Sequence, residues 1–589
     1  MTRIAKTFWA FVAATPVLLV IVLWVAGGFG HVDDPSLDQV APARSPAVSP
    51  ASDRPAANPD NNLYFGDIHI HTSYSTDAYV MGVRTLPDDA YTFAKGGVIE
   101  HGAGYPIRAS RPLDFAAVTD HGEYLGMMRG SGPDLPLEHR ALADIIGNDN
   151  RLSITLAYLE TTLHIAEHYF KPEVIDLELE NAAWRDTIAA AERHYDPGRF
   201  TTFIGYEWSS QPDGSNLHRN VMYRGGANQV PDGPYSSLNS EDPLDLLMEL
   251  RRQDEEGFRL MAIPHNGNLS NGRMYGKLDF SGEPMDDSLA GLRNRYEPLS
   301  EILQVKGASE THPALSPLDE FADFEIFESN MSAFGEVAPP DGGYARDALR
   351  VGMEMAHAGG INPYRFGFIG ASDSHNSSSP VEEDNYHGKL PMMDGAASLR
   401  MNEALLLPDG LNRALRWGSG GLAGVWASEN TREAIFDAMQ RKETFATSGP
   451  RISVRFFAGW GFPQNLPEDP GAIAIAYKTG VPMGGELASS GGDGSPAFFV
   501  RAVKDPEGAN LDRIQIIKLW VDRNGRSHEK IFDVAASGDR MNHDGERPTV
   551  VGNTVDADAA TYTNTIGTHS LQTIWKDPGF DPQLRAAYY

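Results

Sequence analysis

The residues with the clearest chemical meaning are histidines and carboxylates at or just after short apolar runs. They are His69, His71, Asp77, His121, Glu207, His218, His265, Asp373 and His375. The chain contains no cysteine, so imidazole nitrogens and carboxylate oxygens are the ligands available to a divalent metal ion. The pattern predicts one centre that binds two or three divalent ions, with zinc, manganese and iron as the candidate metals.

Two short motifs carry ligand-type residues at alternating positions. Alternate side chains of a strand point to the same side, so His69 and His71 can bind one ion together. Asp373 and His375 repeat this spacing with mixed ligands. Asp77 offers a carboxylate in the loop that follows His71. Each motif is a half-site, and the fold has to bring the halves together.

The elements that position these motifs are predicted from runs of apolar, β-branched and aromatic residues, which are typical of buried strands. The runs are Leu63 to Ile70, Leu113 to Val118, Phe200 to Tyr206, Leu260 to Ile263, Ile302 to Val305, Phe324 to Phe327 and Phe366 to Ile369. Helices are predicted over Asn181 to His194, Pro243 to Glu256 and Thr431 to Lys442. Ligands at the carboxyl ends of many strands favour a (β/α) barrel over residues 63–450, rather than an open doubly wound sheet.

Residues 451–589 contain short strand-like runs separated by glycine, proline and aspartate. This spacing predicts a β-sandwich-like accessory domain. The predicted strands are Arg451 to Phe457, Ala472 to Tyr477, Ala497 to Val503, Ile514 to Val521 and Lys530 to Val534. No helix is predicted between them. The last residues, Ala586 to Tyr589, are typical of a strand that begins there. We expect that strand to continue further, which would make this sequence a truncated one.

The N-terminus predicts export from the cytoplasm. Arg3 and Lys6 precede an uncharged, mostly apolar run from Thr7 to Gly30. Such a run is long enough to cross a bilayer as a helix, and the flanking charges favour a cytoplasmic N-terminus. Residues 1–30 are therefore a membrane anchor or a cleavable signal peptide. Residues 31–62 are rich in proline, alanine, serine and aspartate and predict a flexible linker. We expect a periplasmic or cell-surface protein, anchored to the inner membrane.

The overall charge argues against one class of partner. The chain has 80 acidic and 49 basic residues and a formal net charge of −31. A surface of this sign repels the phosphates of nucleic acids, so we expect no nucleic-acid partner. The absence of cysteine excludes disulfides, thiol catalysis and cysteine-ligated metals.

The ligand motifs resemble those of the polymerase and histidinol phosphatase (PHP) superfamily. The matching runs are Gly66 to His71, Val118 to His121, Gly205 to Glu207, Ile263 to His265 and Ala371 to His375, with His218 between them. Residues 197–208 (PGRFTTFIGYEW) and 442–450 (KETFATSGP) resemble a narrower exported group, the domain-of-unknown-function family 3604. This resemblance extends from about Leu63 to Tyr589.

The PHP resemblance implies a distorted seven-stranded (β/α) barrel with a trinuclear metal site. One ion would be held by His69, His71, Glu207 and Asp373. Glu207 would bridge to a second ion held by His218 and His265. Asp77, His121 and His375 would hold a third. Many relatives have histidine at the position of Asp77, and a carboxylate there favours manganese or iron over zinc.

The resemblance implies hydrolysis of a phosphoester by a metal-bridged hydroxide, on a small-molecule or polymer substrate. Glu207 is the expected bridging residue, Lys306 would neutralise charge on the substrate, and Asp120 would orient histidine ligands. Hydrolysis of a sulfate ester remains open. An amidohydrolase-type enzyme is a second alternative, although Lys306 follows His218 and His265 rather than preceding them. A third alternative is a non-enzymatic, metal-stabilised binding protein at the membrane surface.

Overall fold

The computed structural model describes residues 57–130, 156, 176–327, 339–395, 400, 417–489, 494–538, 540–541 and 548–589. The predicted anchor or signal peptide and most of the linker lie outside these residues. None of the helices within the described ranges combines the length and the apolar character needed to cross a bilayer.

The first half of the described chain contains most of the strands that position the ligand motifs. Its strands are β1 (Asn62–Ile70), β2 (Ile99–Glu100), β3 (Pro106–Ile107), β4 (Phe115–Val118), β5 (Thr201–Trp208), β6 (Arg219–Tyr223), β7 (Leu260–Pro264), β8 (Leu299–Gln304), β9 (Gly307–Ala308), β10 (Gly367–Gly370), β11 (Leu422–Ala427) and β12 (Thr444–Thr447). Its helices are α1 (Thr76–Val80), α2 (Pro87–Ala94), α3 (Met127–Gly130), α4 (Leu177–His194), α5 (Pro243–Glu255), α6 (Asp287–Tyr296), α7 (Ala345–His357), α8 (Pro391–Asp394) and α9 (Arg432–Gln440).

Seven of these strands form one mixed sheet in the order β12-β11-β1-β4-β5-β6-β7. Only β1, β4 and β5 run parallel to one another, and the remaining neighbours pair antiparallel. A strictly alternating (β/α) barrel would contain parallel pairs throughout, so this sheet departs from the predicted regular pattern. The antiparallel pairing of β5 with β6 follows from the short connection between Trp208 and Arg219, because a parallel crossover needs a longer one.

A second sheet, in the order β10-β8-β9, lies between the two ends of the first. Strand β8 packs beside β7, and β10 packs beside β12. Side chains from both sheets meet in one buried cluster, with Phe203 and Met222 from the first sheet and Leu299 and Ile369 from the second. The curved arrangement is consistent with a distorted barrel, and this cluster fills its inner face.

The outer face of the large sheet is covered by helices. Trp184 of α4, Tyr91 of α2 and Leu247 of α5 are buried against sheet residues such as Ile204. Burial of each large apolar side chain contributes about 2 kcal/mol to folding. The two faces of the sheet therefore have different roles. The outer face binds the helices, and the inner face carries the core and, above it, the predicted ligands.

The second half of the described chain forms two further sheets. Its elements are β13 (Ser453–Gly459), α10 (Ala472–Thr479), β14 (Val481–Pro482), β15 (Ala497–Val503), β16 (Arg513–Val521), β17 (Ser527–Ala536), β18 (Val555–Asp556), β19 (Thr561–Tyr562), β20 (Ser570–Lys576) and β21 (Ala586–Tyr588). The sheets have the orders β14-β13-β15-β20 and β17-β16-β21. Phe498 and Val500 from one sheet pack against Ile516 and Val534 from the other, as in a sandwich.

Two predicted strands are absent from the described structure. Residues 472–477 were expected to be extended, but they belong to helix α10. Ala472 and Ala476 are four residues apart and fully buried on one side of that helix, so alanine's helix propensity and helical spacing outweigh the β-branched residues between them. Residues 324–327 form a turn and irregular chain rather than a strand, and Glu328 after them lies outside the described residues.

Candidate metal centre

The predicted ligands lie one layer above the inner core of the barrel. Glu207 follows Phe203 of β5 by four residues, and His265 follows Met261 of β7 by four. His218 precedes Met222 of β6 by four. Because side chains alternate along a strand, these three ligands point to the same side as the buried core residues. They therefore meet at one end of the barrel interior.

A bulge in β1 brings the first histidine motif to the same place. The register of β1 against β4 shifts between Asp67 and Ile70. As a result Ile68 packs in the inner cluster and Ile70 packs in the helix-facing cluster, although a regular strand would put both on one face. His69 and His71 follow the shifted alternation and turn inwards.

Glu207 lies at the centre of the site. Its Oε1 oxygen is 2.5 Å from His218 Nδ1 and 3.1 Å from His265 Nε2. Its Oε2 oxygen faces three further imidazoles, at 3.2 Å from His69 Nε2, 3.1 Å from His71 Nε2 and 3.4 Å from His121 Nδ1. The carboxylate is therefore placed between two groups of imidazoles, as expected for a ligand shared by two ions.

Asp373 forms a second acidic position beside His69 and His71. Its Oδ1 oxygen lies 3.6 Å from His69 Nε2 and 3.4 Å from His71 Nε2. The backbone of Asp373 is left-handed, with a φ of 54°, which costs a non-glycine residue about 1 kcal/mol or more. A hydrogen bond from its N–H to the carbonyl of His69, at 2.9 Å, helps to hold this conformation.

Two buried lysines neutralise Asp373. Lys306, which was predicted to face the substrate, pairs with the Oδ2 oxygen of Asp373. Lys389, which the sequence did not indicate, lies 3.0 Å from Oδ1 and donates to the Asp373 carbonyl at 2.5 Å. It also lies 2.9 Å from His375 Nδ1. Burial lowers the pKa of Lys389 to about 8, although Asp373 favours the charged form.

The outer edge of the site is formed by Asp77, His121 and His375. Asp77 is half exposed, with His375 Nε2 at 2.9 Å from its Oδ2 and His121 Nε2 at 3.5 Å from its Oδ1. Partial burial raises the pKa of Asp77, but His375 and His121 outweigh this effect and hold the pKa well below its usual range. Asp77 is thus the most accessible of the nine predicted ligands.

Four overlapping groups of side chains have ligand atoms close enough to hold a metal ion. They are His69 with His71 and Asp373, His69 with Glu207 and His265, His121 with Glu207 and His218, and His71 with His121 and His375. All predicted ligands except Asp77 occur in these groups, and Asp77 contacts two members of the last one. The grouping differs in detail from the expected ligand sets, because His121 also belongs with Glu207 and His218.

The chemistry of these groups fits divalent cations. Nε2 of His71 is buried and has no hydrogen-bond partner among the described residues, although it faces oxygens of Glu207 and Asp373. Nitrogen and carboxylate oxygen atoms directed at one another are stabilised by a cation or a proton between them. For His69, burial lowers the pKa, but Glu301 and Asp373 outweigh it and raise the pKa to about 10. Carboxylates of the site therefore favour a positive charge at His69.

Several supporting residues were missed in the sequence. Glu301 of β8 accepts a hydrogen bond from His69 Nδ1 at 3.0 Å, and Ser209 Oγ lies 2.5 Å from His121 Nδ1. Glu301 directly precedes the predicted strand Ile302 to Val305, and a carboxylate beside a buried run was a signal. Lys389 and Ser209 have no such signal. Metal-binding histidines usually need partners of this kind on their second nitrogen.

Asp120 supports the histidine ligands less directly than expected. It contacts no histidine ring within the described residues. Instead its carboxylate binds the loop after His71, through Thr72 and Ser75. Asp120 therefore holds the loop after His71 in place and does not reach a reacting atom.

Comparison with known proteins gives the family of the chain. No curated protein matches it. One solved structure is similar, a two-domain protein from Bacteroides vulgatus containing a predicted PHP-like metal-dependent phosphoesterase. The two are 10% identical, with 90% of this chain and 100% of that chain covered and a TM-score of 0.30. Residues 58–589 match the model of a family described as a protein of unknown function, DUF3604. The chain belongs to the DUF3604 family.

Proposed function

We propose that the protein is a metal-dependent hydrolase that cleaves phosphoesters. The observation that carries the proposal is the position of Glu207, whose two oxygens face five imidazoles in two groups. A buried carboxylate shared in this way can hold two cations side by side. Paired cations are the usual device for hydrolysis of phosphoesters without a protein nucleophile.

The ions would be held by the ligand sets that the resemblance implies, of which His69, His71 and Asp373 also form one of the four groups. His69, His71 and Asp373 would bind one ion, and Glu207 would join it to a second near His218 and His265. Asp77, His121 and His375 would bind a third at the exposed edge. Bound divalent ions would supply positive charge that acidifies a water molecule and stabilises negative charge on the substrate. Zinc, manganese and iron all suit these ligands.

The lysines support an anionic substrate. Lys306 is mostly buried and pairs with Asp373, so its ammonium group borders the site. The Asp373 carboxylate raises the pKa of Lys306 despite burial, which keeps the side chain charged at neutral pH. A fixed positive charge beside the site stabilises negative charge that develops on a phosphoryl oxygen.

The same geometry favours a PHP-type over an amidohydrolase-type enzyme. An amidohydrolase would use a lysine as the bridging ligand, and here the shared position is occupied by Glu207. Lys306 pairs with Asp373 instead. The resemblance of the ligand motifs to the PHP superfamily supports the same choice.

We also propose that the enzyme acts outside the cytoplasm, on the strength of the apolar run from Thr7 to Gly30. Fusion of residues 1–62 to alkaline phosphatase, which is active only after export, tests this. An active fusion is expected, and an inactive fusion that accumulates in the cytoplasm would contradict it.

The function is tested with the full chain purified in detergent. Metal content is measured by mass spectrometry for the wild type, for Glu207→Gln and for a matched surface control, Glu433→Gln. The wild type and the control are expected to carry two or three equivalents of zinc, manganese or iron, and Glu207→Gln fewer.

Activity is then measured on p-nitrophenyl phosphate, bis(p-nitrophenyl) phosphate and p-nitrophenyl sulfate. Loss of phosphoester hydrolysis in Glu207→Gln, with activity kept in the control, is the expected result. Hydrolysis of the sulfate alone would replace the phosphoesterase by a sulfate-ester hydrolase. Metal binding without hydrolysis of any ester would favour a binding protein. Less than one equivalent of metal in the wild type would rule out the shared site.

A further inference from the structure

Ser75 stands in the loop after His71 and is fully buried. It occupies the N-cap position of helix α1, where a serine usually accepts a hydrogen bond from the first turn. Its side chain makes no such bond. The hydroxyl turns instead towards the metal centre, where Oγ lies 2.7 Å from Asp120 Oδ1, 2.8 Å from His71 Nδ1 and 3.1 Å from the N–H of His121. The side chain of Ser75 therefore does not cap helix α1.

The direction of the first contact follows from the surroundings of Asp120. Its Oδ1 oxygen accepts from the N–H groups of Thr72, at 2.6 Å, and Ser75, at 3.1 Å. Its Oδ2 oxygen accepts from the hydroxyl of Thr72 at 2.7 Å. A carboxylate surrounded by donors is itself only an acceptor. The single hydroxyl hydrogen of Ser75 is therefore donated to Asp120.

The remaining contacts of Ser75 fix the proton of His71. A hydroxyl oxygen that has given its hydrogen away can only accept, through two lone pairs. One lone pair accepts the N–H of His121, and the other faces Nδ1 of His71. Nδ1 must then carry the hydrogen, and Nε2 of the neutral imidazole is left with its lone pair directed at Glu207 and Asp373.

We infer that Ser75, oriented by Asp120, is a positioning residue that holds His71 in the tautomer able to bind metal through Nε2. Without the Ser75 oxygen, Nδ1 has no acceptor, and the hydrogen can move to Nε2, where it blocks coordination. The two carboxylates that face Nε2 would favour that movement because they are themselves acceptors. The inference deepens the proposed function, since it concerns a ligand of the same metal centre.

The tautomer is read directly by nitrogen NMR of the full chain labelled with ¹⁵N-histidine, before and after addition of zinc. The His71 signals are assigned by their loss in His71→Gln. A hydrogen on Nδ1 of His71 in both states, with zinc changing only the Nε2 shift, is the expected result. A hydrogen on Nε2 with none on Nδ1, in either state of the wild type, would overturn the inference. This reading does not depend on hydrolytic activity.

Metal affinity is measured in parallel by competition between the protein and a zinc chelator. Ser75→Ala is expected to bind zinc about tenfold to a hundredfold more weakly than the wild type. Ser73→Ala is the matched control, because Ser73 is buried in the same loop and its hydroxyl contacts only Arg129 within the described residues. Equal affinities in the two variants would overturn the inference.

Asp120→Ala keeps the Ser75 hydroxyl but frees its hydrogen for His71. It is expected to move the His71 hydrogen to Nε2 and to weaken zinc binding as Ser75→Ala does. If Asp120→Ala does not fold, as judged by circular dichroism, Ser75→Ala and the NMR reading still decide the question. A wild type that binds no zinc contradicts the proposed function, whereas a wild type that binds zinc equally well without Ser75 contradicts only this inference.

Discussion

Nδ1 of His69 lies 3.0 Å from the Oε2 oxygen of Glu301, and both side chains are fully buried. Glu301 is itself held by Gln304, which donates to its Oε1 oxygen at 3.0 Å. The pair fixes the ring of His69 so that Nε2 faces Glu207 and Asp373. A carboxylate behind a metal-binding histidine makes the imidazole a stronger ligand.

Replacement of Glu301 by leucine removes this support with little change in volume. We expect Glu301→Leu to lower zinc affinity about tenfold to a hundredfold, as measured by competition with a chelator. Glu301→Gln keeps an oxygen that can accept from His69, so its loss should be smaller. Equal zinc affinity in Glu301→Leu and the wild type would show that the contact does not support metal binding.

Replacement of Asp77 should reduce metal binding less than replacement of Glu207 does. Its side chain is half exposed and contacts only His121 and His375 among the described ligands. We expect Asp77→Asn to lose at most one equivalent of metal, while the ions shared by Glu207 remain. Metal analysis by mass spectrometry after dialysis checks this. A variant that loses all its metal would mean that the ions bind as one cooperative unit.

Arg346 joins the C-terminal sandwich to the barrel half and should contribute strongly to stability. Its buried guanidinium lies 2.6 Å from Glu310, 2.7 Å from Asp319 and 3.4 Å from Glu529 of β17. Arg346→Met leaves these carboxylates without their shared partner, so we expect the free energy of unfolding to fall by about 3 kcal/mol. Urea unfolding gives this value. Arg251→Met on helix α5 breaks an exposed pair with Glu255 and should cost less than about 1 kcal/mol.

His387 should make the fold sensitive to acid. Its ring is buried against Phe93, and burial, helped by Arg400, lowers its pKa to about 4. In the unfolded chain the value is about 6.5. Because the folded pKa is the lower one, the neutral ring favours folding above pH 6.5, and this contribution is lost as the pH falls towards 4.

The difference between the folded and unfolded pKa values of His387 corresponds to about 3 kcal/mol in the free energy of unfolding. Urea unfolding of protein treated with EDTA, at pH 7 and pH 5, measures the pH dependence without metal. We expect His387→Phe, which cannot titrate, to lose less stability between these two pH values than the wild type. The same loss in both proteins would assign the acid sensitivity to other groups, of which buried His101 is one.

The amino-acid sequence by itself determined which residues could bind metal and roughly which strands carry them. Glu207 and His265 follow predicted apolar runs, and a polar side chain at the end of a buried strand needs a partner. His218 instead precedes β6, which was not among the predicted strands. The helices at Leu177–His194, Pro243–Glu255 and Arg432–Gln440 also follow from local periodicity, within a few residues of the predicted bounds. These features are determined by residues that are close together in the sequence.

Only the tertiary structure decided the features that depend on distant neighbours. The bulge in β1 turns His69 and His71 inwards, and the pairing of β5 with β6 is antiparallel because the connection between them is short. Helix α10 replaced a predicted strand because the sandwich buries Ala472 and Ala476 on one side. Lys389 and Ser75 became part of the metal centre through contacts with Asp373 and Asp120. Local sequence holds no information about such pairs, since their energies arise only when the folded chain removes both partners from water.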